Sequence, residues 1–470
     1  MKPIIRMMEA ALAAIAMLLL FSLFITACAG TKEAEKAVQP EVEIPPYESI
    51  SSLLVAGKPE EALEAFEKAY ANDPDSFETA LLRSGLLVSI GKTDEAKEAL
   101  KTALEKEPDN PDALFTGALI AGLDGERNQE KALLESVVEK APDHGRALAA
   151  LGELYMEDKE YDKAEDSFEK SIEAEPDNFV ARAGYGNLLL RQKKYEESVE
   201  QLDKAVEAFP NYPFSYVDRG KAKAGLGDTQ DAITDLSKAI ELDPEHYWHY
   251  IDRGKLYLYR GEIERAKADF TSAKKIDPDY FLSYVYLAGI NSDEKNWSGA
   301  LANYKATMER RPDYYYAYEP AATAAFLSED YTWAAEMYQK AYENEPDEHG
   351  YALMHGISLF EAGKEQEAKA YFREKMGTLP RDTYYYDIAR TFVERGYDGY
   401  LVSKLNLEKQ MPLKIRAYFY LGLFYRWAGS DTLANRYLGE VRDNALFGMF
   451  ETEIAENLLE KEGPSEDAKN

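Results

Sequence analysis

The pattern of hydrophobic and polar residues divides the 470-residue chain into distinct regions. Residues 10–27 carry no charge and are mostly apolar, whereas residues 28–46 are small, charged and rich in proline. From about residue 43 to residue 448, small and large apolar residues recur among charged ones at helical spacing. The pattern therefore predicts an N-terminal membrane or export segment, a tether and a long helical region.

A strict proline period organises the helical region. The prolines fall 34 residues apart, at positions 74, 108, 142, 176, 210, 244, 278, 312, 346 and 380. A 34-residue period is typical of arrays of helix pairs. Because proline cannot continue a helix, each of these residues is expected to follow the second helix of a pair. The Asp or Asn after it is expected to cap the next helix, at Asp109, Asp143, Asp177 and Asn211.

The residues between the prolines repeat as well, when each repeat is counted from the third residue after the preceding proline. Position 8 is small, at Gly152, Gly186, Gly220, Gly254, Ala288, Ala322, Gly356 and Gly422. Position 24 is large and apolar, at Phe66, Leu100, Leu134, Phe168, Leu202, Leu236, Phe270, Phe372 and Leu438. A small residue lets two helices approach closely, and we expect the large residue to fill the adjoining space.

These features resemble tetratricopeptide repeats over residues 43–448, in about twelve copies of which the eleventh, 383–414, is degenerate. The resemblance implies an all-α fold, a right-handed α-solenoid with a concave face. Residues 450–462 look like the amphipathic helix that caps such arrays, and residues 463–470 are expected to be disordered.

The N-terminus resembles a bacterial lipoprotein signal. Lys2 and Arg6 precede the apolar run, which ends at the only cysteine of the chain. The lipobox-like residues are Ile25, Thr26, Ala27 and Cys28. By this resemblance, residues 1–27 are a signal peptide, the Cys28 thiol carries a diacylglycerol anchor, and residues 28–46 form a flexible tether. An uncleaved anchor helix that happens to contain a cysteine is the alternative.

The residue following Cys28 bears on the location of the protein. In the lipoproteins that this N-terminus resembles, an Asp at that position favours retention in the inner membrane, and here it is Ala29. The resemblance therefore implies lipid attachment to the bacterial cell envelope, at the outer membrane and facing the periplasm.

Composition excludes several kinds of chemistry. A net charge of −31 argues against nucleic acid as a partner, because phosphate contacts need clustered Lys and Arg. The stretch GLLVSIGKT, residues 85–93, has the wrong glycine spacing for a phosphate loop. His246 and His249 are three residues apart with no third metal ligand nearby in sequence. We therefore predict no catalytic site, no metal site and no cofactor.

Candidate binding residues come from the repeat positions that face the groove in tetratricopeptide proteins, namely 2, 5, 6, 9 and 13. The aromatic candidates are Phe214, Trp248, Tyr259, Tyr286 and Tyr316. A repeated DRGK motif adds two acid–base pairs, Asp218 with Lys221 and Asp252 with Lys255. The alternative for these charges is a set of local salt bridges of small value. Tyrosines at position 4 (Tyr216, Tyr250, Tyr284 and Tyr318) are instead expected to pack in the core.

The sequence thus predicts a membrane-anchored, non-enzymatic scaffold that binds other proteins or peptides of the cell envelope. The alternative hypothesis is an accessory component of a solute transport system. Such a component would bind a periplasmic partner or a small hydrophobic ligand in the groove.

Overall fold

The computed structural model describes Ile50, Leu53 and residues 58–394, 396–445 and 449–462. These residues form 24 α-helices, one short 3₁₀ helix and no β-strand. The signal peptide, the lipobox with Cys28, the tether and the tail at 463–470 lie outside the described residues. Contacts divide the chain into two compact units, residues 1–244 and 245–470.

The first unit contains helices α1 to α11. They are α1 (Pro59–Ala69), α2 (Phe77–Ser89), α3 (Thr93–Lys106), α4 (Pro111–Leu123), α5 (Arg127–Lys140), α6 (Gly145–Glu157), α7 (Tyr161–Ala174), α8 (Phe179–Arg191), α9 (Tyr195–Ala208), α10 (Pro213–Leu226) and α11 (Thr229–Leu242). The helices of each pair pack on each other, and the first helices of neighbouring pairs are also in contact, as in α6, α8 and α10. The unit is therefore a stack of helix pairs, an α-solenoid.

The second unit contains helices α12 to α24. They are α12 (Tyr247–Tyr259), α13 (Ile263–Ile276), α14 (Phe281–Asp293), α15 (Trp297–Arg310), α16 (Tyr318–Leu327), α17 (Tyr331–Asn344), α18 (His349–Glu361), α19 (Glu365–Lys375), α20 (Tyr384–Val393), α21 (Tyr397–Leu407), α22 (Met411–Trp427), α23 (Asp431–Asp443) and α24 (Phe450–Glu462). The 3₁₀ helix, Tyr315–Ala317, leads into α16. This unit too is a stack of helix pairs, with α24 following the last pair.

The periodic prolines end helices as expected. The helix α3 ends at Lys106, and Glu107 before Pro108 has φ −133° and ψ 82°. A residue before proline is driven out of the helical region because the proline ring clashes with a helical neighbour. The same arrangement recurs at Glu175, where α7 gives way to Pro176.

The prediction that Asp109, Asp143, Asp177 and Asn211 cap the following helices is wrong by one residue. The N-caps are Asn110, His144, Asn178 and Tyr212. Asn110 accepts hydrogen bonds from the backbone N–H groups of Asp112 and Ala113, at 3.0 and 3.3 Å. The turn after each proline needs one more residue before the backbone becomes helical, so the capping side chain stands two residues after the proline.

The contact expected between positions 8 and 24 is confirmed. A Cβ placed on Gly152 would lie 2.6 Å from the Phe168 ring, and one on Gly356 would lie 2.4 Å from the Phe372 ring. Both phenylalanines are fully buried. In these two helix pairs an aromatic ring thus packs directly on a glycine backbone.

The expected packing role of the position-4 tyrosines is confirmed for two of the four, with an additional hydrogen bond, whereas Tyr250 and Tyr318 are half-buried. Tyr216 and Tyr284 are buried. Their hydroxyls donate to the carbonyl oxygens of Pro210 and Pro278, at 3.0 and 2.9 Å, and Tyr318 donates to Pro312 at 2.8 Å. The tyrosine therefore satisfies the proline carbonyl between two repeats.

The glycine contact leads to a stability prediction that uses two glycines of neighbouring first helices. Gly254→Ala would bring a Cβ within 2.8 Å of the Phe270 ring, whereas a Cβ on Gly289 meets nothing within 4 Å. We expect Gly254→Ala to destabilise the second unit by about 1–3 kcal/mol because of overpacking. Gly289→Ala should stabilise it by up to about 1 kcal/mol through helix propensity. Urea unfolding followed by circular dichroism measures both, and equal midpoints would contradict the packing argument.

Candidate protein-docking site

Aromatic side chains follow one another along the second unit where its first helices begin. We call this set the aromatic row: Tyr247, Trp248, Tyr280, Phe281, Tyr314 and Tyr316. They lie at or beside the N-terminal ends of α12, α14 and α16, which are spaced by one repeat each. The periodicity of the chain therefore places them side by side.

The rings of the aromatic row are in continuous contact. Tyr280 lies 4.7 Å from Tyr247 and 4.7 Å from Trp248, measured between ring centroids. Phe281 and Tyr314 make an edge contact at 4.9 Å. Tyr316 continues the row at 5.6 Å from Tyr314 and is 68% exposed. Trp248 is 37% exposed. Such rings offer rigid contact area with polar edges, which is characteristic of protein interfaces.

Two residues of the row stand at helix N-cap positions. Tyr280 and Tyr314 occur where the first unit has Asn110 and Asn178, and neither tyrosine makes a side-chain cap. Replacing a capping Asn by a residue that does not cap costs a helix about 1 kcal/mol. At these repeats the second unit therefore lacks the stabilisation of a side-chain cap and has an additional aromatic side chain instead.

The hydroxyl of Tyr280 is the least satisfied polar group of the row. It is buried and makes no hydrogen bond among the described residues. Burial raises the pKa of this phenol, and the nearby charge of Asp252 adds to the rise. A buried hydroxyl without a partner is uncommon in proteins and suggests that a bound group completes it.

The sequence candidates of the second unit fall around the row in different settings. Tyr286 is half-buried and stacks on Phe270 at 4.5 Å, so part of its role is packing. Tyr259 is 82% exposed at the end of α12. Lys255 Nζ lies 3.9 Å from Asp252 Oδ1, the weak local pair that the alternative interpretation expects. Of the predicted residues, the structure places Trp248 and Tyr316 in the row itself.

The sequence candidates of the first unit lie on α10. Phe214 is half-buried and contacts the ring of Tyr212 at 5.4 Å. Asp218 accepts a hydrogen bond from Asn187 Nδ2 at 2.7 Å, and Lys221 is exposed. Asp218 is therefore part of a polar network on the first helices of this unit.

The arginines of the two DRGK motifs have a role that the sequence did not reveal. Arg219 makes two hydrogen bonds to Asp235, at 2.9 and 2.6 Å. Arg253 makes the same two bonds to Asp269, at 2.9 and 2.7 Å. Both aspartates are buried. The motif recurs because its arginine holds the two helices of one repeat together, a bidentate arrangement suited to guanidinium.

A second feature missed by the sequence is Glu153 in the first unit. Burial, with the neighbouring charges of Glu157 and Asp218, raises its pKa from 4.5 to about 7, and Arg191 opposes the rise. Glu153 stands at position 9 of its repeat, one repeat before Asn187. In the sequence, Glu153 is distinguished only by its place at position 9 of the repeat. The repeat register does not indicate how deeply a carboxylate is buried.

A cleft of about 520 Å³ lies elsewhere in the first unit. Its floor is formed by Leu100, Leu104, Leu114 and Leu133, and its rim is charged. It contains none of the predicted binding residues, which lie in later repeats. The cleft therefore does not coincide with the surface on which the small-ligand hypothesis relied.

Comparison with known families identifies the repeat. Two models described as tetratricopeptide repeat match the chain, one over residues 53–120 and 157–224, the other over residues 130–179 and 217–281. Residues 53–120 and 130–281 therefore match tetratricopeptide repeats, and the described residues as a whole fold as an α-solenoid of helix pairs. A search of curated protein sequences gave no significant match.

Several solved structures are similar over part of the chain. The type IV pilus biogenesis factor PilW is 19% identical, and the match covers 45% of this chain and 97% of PilW with a TM-score of 0.41. PilF of Pseudomonas aeruginosa is 18% identical, with coverages of 43% and 92% and a TM-score of 0.40. A tetratricopeptide repeat protein of Parabacteroides merdae is 23% identical, with coverages of 52% and 96% and a TM-score of 0.37. Similarity at this level carries no information on function.

The described residues contain no group of three or more His, Cys, Asp or Glu side chains placed to hold a metal ion. Within the same residues, every helix is too short or too polar to span a membrane.

The raised pKa of Glu153 predicts a pH-dependent stability. Between pH 4.5 and about 7 the folded state binds a proton that the unfolded state releases, so this group lowers stability as pH rises through that window. We expect Glu153→Gln to raise the unfolding midpoint by on the order of 2–4 °C above pH 7 and to have no effect below pH 4.5. Thermal unfolding across pH measures this. The exposed Glu173→Gln is the control, and a pH-independent difference would contradict the assignment.

Proposed function

We propose that the protein is a membrane-anchored, non-enzymatic scaffold of the bacterial cell envelope that docks another protein on its aromatic row. The row carries the proposal, because it is a contiguous set of rings that replaces helix caps and contains a buried hydroxyl that none of the described residues bonds. Arrays of helix pairs use extended surfaces of this kind to bind proteins.

The chemistry of the surface indicates what the partner presents. Exposed Tyr and Trp rings side by side favour an extended segment with apolar or proline side chains. Asp252 lies near Tyr280, and the chain as a whole carries a net charge of −31. A basic segment is therefore favoured over an acidic one, both in its approach and at the site.

Anchoring rests on the N-terminal sequence. Cys28 follows an apolar run and a lipobox-like triplet, and a 19-residue tether at 28–46 separates it from the repeats. A lipid at Cys28 would hold the array at the envelope, with Ala29 favouring the outer membrane. The aromatic row would then meet partners at the periplasmic face of the membrane.

Exchange of Tyr280 for Asn tests the docking surface. Asn restores a helix cap at α14 and removes the central ring, so stability should change by less than about 1 kcal/mol while partner binding falls more than tenfold. The full chain serves as bait in detergent-solubilised envelope, with quantitative mass spectrometry of bound proteins. Tyr400→Asn, at a tyrosine 55% exposed on α21, is the matched control. Equal recovery of every bound protein by both variants would argue against the aromatic row.

Replacement of Cys28 by Ala tests the anchor. We expect the variant to leave the membrane fraction and to lose labelling by a radioactive fatty acid, because no other thiol exists in the chain. Cell fractionation and metabolic labelling measure the two effects. Ser51→Ala, outside the lipobox, is the control. A Cys28→Ala protein that stays in the membrane fraction would exclude the lipid as the sole anchor.

A further inference from the structure

The last helix, α24, reaches far back along the second unit. It packs on α23, and it also contacts α16 and α22. Lys461 Nζ donates to the backbone oxygen of Leu327 at 3.1 Å and pairs with Glu329 at 3.0 Å. Glu460 pairs with Lys295 at 2.5 Å. These contacts join residues 132 to 165 positions apart, whereas the sequence led us to expect a helix that only caps the end of the array.

An apolar stripe of α24 enters the core. Ile454, Ala455 and Leu458 are buried and belong to the same hydrophobic cluster as the repeats. Phe450 precedes them by one turn, and its ring lies 5.9 Å from Tyr338 and 5.9 Å from Tyr351. Residues spaced by four lie on one helix face, the pattern by which amphipathic helices bind in grooves.

The surface that receives α24 is the inner groove, lined by Glu319, Leu327, Gly350, Arg416, Phe419 and Tyr420. In the repeat numbering these residues occupy positions 5, 13, 2, 2, 5 and 6. They are the positions that face the groove in tetratricopeptide repeats. The chain's own last helix therefore sits where such proteins hold a ligand.

Two polar contacts fit the groove to an acidic side chain at the start of the helix. Glu451 is 2% exposed, and its Oε1 accepts a hydrogen bond from Tyr420 Oη at 3.4 Å and lies 3.9 Å from Arg416 Nε. A Cβ on Gly350 would come within 2.8 Å of the Tyr420 hydroxyl and 3.7 Å of Glu451. Because the Tyr420 hydroxyl and Glu451 lie so close to Gly350, a larger residue has little room at position 350.

Turn residues of two repeats are adapted to the far end of α24. Position 15 is a glycine with positive φ in Gly91, Gly125, Gly227, Gly261, Gly363 and Gly429. In two of the repeats that contact α24 it is Lys295, with φ 55°, and Glu329, with φ 65°. Residues other than glycine rarely adopt this backbone conformation. The side chains of Lys295 and Glu329 both pair with residues of α24. Lys159 and Lys193 have the same conformation in the first unit.

The fit of α24 to the inner groove is incomplete at Glu319. Glu319 faces the helix through the groove, and burial together with the charges of Glu453, Glu451 and Glu345 raises its pKa to about 7. Because like charges repel each other more strongly where water is excluded, the acids of α24 and Glu319 oppose the binding of this helix. The pairs at the other end of α24 involve half-exposed side chains, which contribute little. The helix is thus held by its apolar stripe and Glu451 and opposed by the charge of Glu453.

We propose that the inner groove is a binding site for an amphipathic helix of a partner protein and that α24 is its exchangeable resident. The partner helix carries an aromatic residue, an acid and aliphatic residues at the spacing of Phe450, Glu451, Ile454 and Leu458, with a basic residue in place of Glu453 to meet Glu319. This site shares no residue with the aromatic row, so it stands independently of the docking function proposed above.

The test uses the full chain and two labelled peptides, one with the sequence of residues 450–462 and one with Glu453→Lys. The host variant Leu458→Asp puts a charge into the apolar stripe and should release α24. We expect this host to bind the first peptide at least tenfold more tightly than the wild-type chain does. It should bind the Glu453→Lys peptide at least tenfold more tightly again. Fluorescence anisotropy measures both affinities.

Three controls make the result specific. A peptide with Leu458→Asp should not bind, and Glu319→Gln in the host should abolish the preference for the Lys peptide. Hydrogen exchange of the host should show lost protection in α24 with α16 and α22 still protected. If Leu458→Asp does not fold, the double variant Glu460→Lys with Lys461→Glu leaves every buried residue in place, opposes Lys295 and Glu329, and should bind the Lys peptide better than wild type does.

The outcomes decide the proposal. A folded host with released α24 that binds neither peptide would overturn it, as would equal binding by the wild-type chain and the host. Concentration-dependent dimers of the host that bury the groove, seen by light scattering, would also overturn it, because the occupant would then be a second copy. Peptide binding with the charge preference described would establish the groove as a helix-binding site.

Discussion

The close contact between a small residue on the first helix of a repeat and a large side chain on its second helix is the interaction on which the array depends. Gly152 with Phe168, Gly186 with Leu202 and Gly356 with Phe372 bring two helices so close that a single methyl group would not fit. Because position 8 is small and position 24 is large in most repeats, the helix pairs are closed in a similar way along the chain. A helix pair cannot bury its apolar face alone, so its neighbours complete the core and the repeats propagate along the chain. At three junctions a tyrosine hydroxyl also donates a hydrogen bond to the proline carbonyl.

Functional surface in such an array is obtained by changing residues that the packing does not need. N-cap positions are an example, since Asn110 and Asn178 cap their helices while Tyr280 and Tyr314 do not. The loss of a cap is small and local. The gain is a row of rings whose spacing the repeat sets without any further device. Lys295 and Glu329 likewise occupy a turn position that is glycine in six other repeats, and their side chains pair with α24.

The aromatic row and the inner groove of the second unit differ in whether the chain itself covers them. The aromatic row has exposed rings and a hydroxyl that no described residue satisfies. The inner groove is filled by α24, whose apolar stripe is buried in the common core. An open surface and a covered one on the same unit would allow a scaffold to bind one partner directly and a second only when a helix of the chain is displaced.

Sequence alone determined everything that depends on local periodicity. The proline period, the glycine and aromatic positions and the tyrosine ladder follow from side-chain size and backbone restriction within a repeat, and the structure confirms the packing they predict. The capping residue was misplaced by one, since the turn geometry after proline is set by backbone dihedrals and not by side-chain type. Repeat register singled out Trp248 and Tyr316, which the structure places in the aromatic row, but not Tyr280 and Tyr314, because a cap position was not expected to carry an aromatic ring.

Only the tertiary structure decided the features that join distant residues. The path of α24 to Lys295 and Glu329, the pairing of Arg253 with Asp269 and the high pKa of Glu153 all arise from groups brought together by folding. A repeat pattern states which face a residue occupies, but not what covers that face. Burial and neighbouring charge determine the cost of each polar group, and both are properties of the packed array.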